Sequence, residues 1–244
     1  MRTTFNWWIW FIFAAALIGC SKDKIELSLR FQLQYQGDPL VILKDYSYPD
    51  GKTVQFTRVS FFISELVVKD RDESVSLKEI DFVNLSQSHA DEANAAEGYL
   101  YLQEEIPFSN IDQISFNIGL TPKQNETVPA DYVSGEPLAR PGEYWVAWDS
   151  YIFVKIEGWV DLDGDGAVET GIALHMGSNN VMRNVSLDIA DAAQEITMVL
   201  DLHSVFKREK IYDIATNPQL HSLSQLSAAE ELADNLVRAL QIMK

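Results

Sequence analysis

Residues 25–35, IELSLRFQLQY, decide the fold class. Ile25, Leu27, Leu29, Phe31, Leu33 and Tyr35 fall on alternate positions, with polar residues between them. A period of two over this length is the pattern of a strand with one face on a core and the other toward water. Gly37-Asp38-Pro39 ends the run.

The pattern repeats outward along the chain. Tyr48-Pro49-Asp50-Gly51 is a turn in which proline presets φ and glycine accepts a positive one. Residues 53–68, TVQFTRVSFFISELVV, read as one or two strands, residues 70–74 as a charged turn, and residues 78–85 as a further strand. Residues 86–98 are polar and alanine-rich, which suits a loop or short helix. Residues 98–105 and 113–120 follow as strands. Pro122, Pro129, Pro137 and Pro141 exclude a long helix over 121–142 and leave an ordered, meandering loop. The most apolar strands are in EYWVAWDSYIFVKIEGWVDL (143–162) and GIALHMG (171–177), with two more at 184–189 and 195–202.

The period then changes. Ser227-Ala228-Ala229-Glu230 has the spacing of a capping box, and Leu232, Leu236 and Leu240 share a stripe with Ala229, Ala233 and Ala239. The spacing predicts a helix over 227–242. The whole is expected to be mainly β: a single-domain antiparallel β-sandwich or barrel over 25–244, with a C-terminal amphipathic helix.

The N-terminus has a different character. Arg2 precedes an apolar run, WWIWFIFAAALI, over residues 7–18. That is too short for a membrane span and fits the apolar core of a secretory signal over residues 1–19. Leu17-Ile18-Gly19-Cys20 has the form of a lipobox, and Cys20 is the one cysteine of the chain. The expectation is a lipoprotein: Cys20 carries the lipid, residues 20–24 form a tether, and the domain sits on the periplasmic or cell-surface side of a membrane. Ser21 after the cysteine points to the outer membrane.

With one cysteine there is no internal disulfide, so packing must stabilise the domain. The net charge of −17 becomes −18 once Arg2 is removed with the leader. Nucleic acid is excluded as a natural partner, because phosphate binding rests on Lys and Arg.

Three features could carry chemistry. Asp161-Leu162-Asp163-Gly164-Asp165-Gly166, with Glu169, matches positions 1, 3, 5, 6 and 9 of an EF-hand loop, although Ile172 stands where the twelfth-position Glu belongs. The flanks read as strands, so the expectation is calcium on a hairpin loop through Asp161, Asp163, Asp165 and Glu169, or a solvated tip using Asp and Gly for turn geometry alone. The second feature is Tyr144-Trp145-Val146-Ala147-Trp148-Asp149-Ser150-Tyr151. In a continuous strand Trp145, Ala147, Asp149 and Tyr151 share one face and Trp148 takes the other, which favours packing. The third is the set of four histidines, His89, His175, His203 and His221. No two stand at i, i+2 or i, i+4, so any metal site needs the fold to assemble it. His89 is expected at the surface and His203 at a strand end. No G-x-S-x-G, H-E-x-x-H or glycine-rich phosphate loop is present, which argues against a hydrolase.

The order of the motifs resembles the MbnP-like family. The carrying pieces are Val59-Ser60-Phe61-Phe62-Ile63-Ser64-Glu65-Leu66, then Ile114-Ser115-Phe116-Asn117-Ile118-Gly119-Leu120 with Asn125. Residues 144–151 running on to Glu157-Gly158, Leu174-His175-Met176-Gly177, and His221 with Asn235 complete the series. Glu143, Ser150 and Met176 depart from the family pattern, which often has Met, Gly and Leu there. The resemblance implies a non-enzymatic, exported copper-binding protein, active in copper acquisition or storage and accompanied by a MauG-like di-haem partner. It further implies that His175 and His221 hold the copper with a tryptophan oxidised to kynurenine, Trp148 or Trp145. The alternative from the residues is a calcium-stabilised β-sandwich module that binds a protein or glycan at the cell surface.

Overall fold

The computed structural model describes residues 24–189 and 194–243. The leader and Cys20 lie outside the described residues. Two sheets face each other across one apolar core. Nine longer strands build them: β1 (Ile25–Tyr35), β2 (Thr53–Asp70), β3 (Glu73–Asn84), β4 (Tyr99–Ile106), β5 (Gln113–Ile118), β6 (Ser150–Val160), β7 (Thr170–Gly177), β8 (Arg183–Asp188) and β9 (Glu195–Asp201).

In the smaller sheet β1 is central, pairing with β4 and β9. Its alternation is read out as expected: Leu27, Leu29, Phe31, Leu33 and Tyr35 are buried. In the larger sheet the order is β8-β5-β2-β6-β7 followed by a two-residue strand, Gln219–Leu220, with β3 folded back on β2 as a hairpin. The core lies where Phe31 meets Phe61 and Phe116 edge-on, at ring-centroid distances of 5.5 and 6.3 Å. Most pairings are antiparallel. Two are parallel, β1 with β9 and β7 with Gln219–Leu220, because long excursions return the chain in the same direction.

Residues 53–68 form one strand, not two. It is bent at Glu65, whose φ is +54°, and its register shifts there. The C-terminal helix spans Leu226–Ala239, and residues 240–242 leave it to pair with β9 at the sheet edge. No side chain caps its start, because the chain enters through the 3-10 turn Leu223–Gln225 and Ser227 is already inside. Its buried stripe is Ala229, Leu232, Ala233, Leu236 and Ala239, as the spacing predicts. Asn235 lies in the same face and donates to the Val205 carbonyl (3.1 Å), so it docks the helix rather than serving a site.

The outer face of the larger sheet is covered too. The proline-rich segment 121–142 crosses it in three short helical turns, Pro122–Asn125, Pro129–Asp131 and Pro141–Glu143. Tyr151 of β6 donates to the Leu138 carbonyl of this segment (3.0 Å). β6 is therefore buried on both faces, which is why its sequence is mostly apolar, uninterrupted from Tyr151 to Val154.

Two expectations about histidines are corrected. His89 is fully buried. It lies in the turn Gln87–His89, where Nε2 accepts from the Leu33 amide (2.8 Å) and Nδ1 faces the Leu85 carbonyl (2.9 Å). Its segment is polar, but the ring gives the buried Leu33 amide of β1 an acceptor. His203 does not end a strand. It sits in a short helix, Leu202–Phe206, edge-on to Tyr35 at 5.4 Å.

Candidate metal centre

β7 runs parallel to Gln219–Leu220 with Ala173 opposite Gln219 and Leu174 opposite Leu220. Continuing this register by one residue sets His175 beside His221 on one face of the sheet. The imidazole centroids are 5.0 Å apart. A separation of 46 residues in sequence (221 minus 175) thus becomes adjacency through a two-residue strand.

Each ring keeps one nitrogen in reserve. Nδ1 of His175 and Nε2 of His221 are buried without a hydrogen-bond partner. Buried polar atoms ordinarily find partners, so two unpartnered nitrogens on neighbouring imidazoles make a donor pair that could hold a metal ion. Burial lowers the pKa of His221, and the adjacent His175 lowers it further, against the pull of Glu157. Its ring is thereby kept neutral and able to donate a lone pair. The other nitrogen of His175, Nε2, is 2.7 Å from Glu157 Oε1.

The tryptophans arrive from above, and not as one continuous strand. Tyr144–Trp145 pair with Tyr151 and Ser150 of β6. Val146–Trp148 then make a 3-10 turn, and Asp149 takes φ +50° to reverse the chain. The expected common face of Trp145, Ala147, Asp149 and Tyr151 does not exist, because the turn intervenes. Instead Trp145 and Trp148 stack, with centroids 5.2 Å apart and planes 14° from parallel. Trp145 lies against His221 at 4.9 Å and His175 at 6.1 Å. Trp148 backs it on the other side and rests on Gly177. Asn125 fixes the end of the turn: its Oδ1 accepts from the Tyr151 amide (2.9 Å) and the Ser150 hydroxyl (3.1 Å). Ser150 Oγ in turn accepts from the Ser178 amide (3.0 Å), so the serine tethers the turn to the end of β7.

Beneath the loop lies a buried charge cluster that sequence reading missed. Glu143 Oε1 accepts from Arg58 at 2.5 Å, its Oε2 is ion-paired with Lys155 at 3.1 Å, and Lys155 donates to the Gly142 carbonyl (2.6 Å). The signal was a lysine in the middle of the most apolar strand, since buried lysines need a partner.

Asp161, Asp163, Asp165 and Glu169 do come together between β6 and β7. One oxygen from each lies within 4.8 Å of the others, so the cluster could hold a hard cation. Asp161 is buried and already closes the loop, accepting from the amides of Gly164 (2.7 Å) and Gly166 (2.9 Å). The EF-hand twelfth position, Ile172, is buried in β7 and offers no ligand.

The family model for MbnP matches residues 24–222. Among solved structures, MbnP from Methylosinus trichosporium matches with a TM-score of 0.57 at 12% identity, covering 78% of this chain and 80% of that one. At that identity the likeness speaks to the fold. No curated protein matches in sequence.

Proposed function

The chain belongs to the MbnP family, and on that premise we propose that it is a lipid-anchored, exported copper-binding protein without enzymatic activity of its own. The observation that carries this reading is the pair of buried, unpartnered nitrogens on His175 and His221. Imidazole suits copper, which heads the divalent affinity series.

Trp145 is the residue suited to oxidation to kynurenine by a di-haem partner, because its indole faces both histidines while Trp148 stands behind it. A kynurenine there would add an aniline nitrogen to the two imidazoles. Anchoring through Cys20, on the periplasmic or surface side of the outer membrane, completes the proposal. Its support is the apolar leader and the lipobox-like Leu17–Cys20.

The test is copper titration of the full chain purified from its native host, with His175→Ala and His221→Ala alongside. One tightly held copper, lost in either variant, is expected. Absence of copper binding by the native-host protein would retire the proposal. Peptide mass analysis across residues 143–155 then reports whether Trp145 has exchanged a carbon for an oxygen.

A further inference from the structure

A metal-binding histidine presents one nitrogen to the ion, and whatever holds the other decides which one. In this chain that partner is visible. His175 lies opposite Lys155 across the β6–β7 ladder, and Glu157 stands two residues on, on the same face. Its Oε1 reaches His175 Nε2 at 2.7 Å.

Two cationic side chains flank Glu157. Arg58 is its cross-strand partner on β2, and Lys155 is on the same face of its own strand. A carboxylate can only accept, so Nε2 of His175 must carry the ring proton and donate it. Nδ1 is then the lone-pair nitrogen, and it is the atom left buried without a partner. On His221 the unpartnered nitrogen is the opposite one, Nε2.

We propose that Glu157 is the positioning residue of the centre: it locks His175 in the Nε2–H tautomer, so that the metal is taken by Nδ1 of His175 and Nε2 of His221. This rests on the copper reading above. Glu157 does not itself ligate in this arrangement. It orients the imidazole and raises the basicity of Nδ1, as outer carboxylates do at other metal–histidine sites.

The experiment has two arms, both on the full chain. In the metal-free protein with 15N-labelled histidine, long-range 1H–15N correlation should show His175 protonated on Nε2 and bare on Nδ1. In the Cu2+-loaded protein, pulsed EPR reads the quadrupole coupling of each remote imidazole nitrogen. Glu157→Ala should weaken copper binding by about 10- to 100-fold and change the remote-nitrogen signal of one histidine. Glu157→Gln, whose amide oxygen still accepts the Nε2–H, should retain the wild-type signal and lose less affinity. A His175 protonated on Nδ1 overturns the proposal. So does a Glu157→Ala protein with wild-type affinity, or one with weakened affinity and an unchanged remote-nitrogen signal. Wild-type protein that takes up no copper would instead defeat the copper reading itself.

Discussion

Gly177 and Trp148 are packed so closely that a Cβ on the glycine would stand 3.3 Å from the indole Cε3, and 2.7 Å from the Tyr151 carbonyl oxygen. The end of β7 thus doubles as the floor on which the tryptophan stack rests. Gly177→Ala should cost about 1–3 kcal/mol, the usual range for overpacking, because the carbonyl belongs to backbone and cannot swing away. The same variant should alter tryptophan fluorescence, since the indole resting on the glycine must move. Unchanged melting and emission would show that the contact is slack.

Glu143 is ion-paired with both Arg58 and Lys155, and Lys155 is as buried as Glu143 itself. Glu143→Ala removes the carboxylate paired with both cations and leaves Glu157 as the acid beside them. Breaking a buried pair in this way typically costs about 3–5 kcal/mol, and the lysine's remaining bond to Gly142 places the expected loss near the lower end. Adding Lys155→Met to Glu143→Met should recover much of it. Denaturant midpoints for the single and double variants decide the point.

His89 gives a pH dependence whose direction is set by its burial. Desolvation lowers its pKa below the ordinary histidine value, opposed by its bond to the Leu85 carbonyl. A depressed folded-state value means that protons prefer the unfolded chain. The stability from this residue is therefore present above the unfolded pKa of about 6.5 and lost as pH falls through and below it. His89→Gln should be less stable at neutral pH and show a flatter decline between neutral and mildly acid conditions. A variant whose decline is as steep as the parent's would assign the effect elsewhere.

Asp161 closes the acidic loop by accepting from the Gly164 and Gly166 amides. Asp161→Ala hands those exposed amides to water and removes two charge-assisted bonds, at a cost of about 1–3 kcal/mol. Hydrogen exchange at the two glycine amides should quicken well beyond that at the neighbouring ladder of β6 and β7.

The parts of this architecture that were legible in the sequence are those dictated by local periodicity. The alternation from Ile25 to Tyr35, the apolar run of β6 and the stripe from Ala229 to Ala239 each appear as read. Local pattern fails where a single backbone angle intervenes. Nothing in YWVAWDSY announces that Asp149 will take φ +50° and fold one tryptophan onto the other. It fails again where tertiary contact outweighs composition. His89 sits in a polar segment, yet it is buried because the Leu33 amide of β1 needs an acceptor. The centre itself was half legible. The likeness to a family singled out His175 and His221, but their meeting depends on a parallel strand too short to register as a pattern. Glu157, in the Glu157-Gly158 pair, gave no sign that it would turn toward His175.

That short strand has a mechanical consequence. With one cysteine, this chain has no internal disulfide, and His221 is aligned with β7 by only two residues of pairing. An ion shared by His175 and His221 would cross-link the chain and close the segment between them into a ring. In the chain-entropy account a closure of that size removes roughly 4 kcal/mol of disorder from the unfolded ensemble. On the copper reading, the cargo is also a clasp: a loaded molecule resists unfolding and proteolysis from its C-terminal side, and an empty one is the form open to degradation.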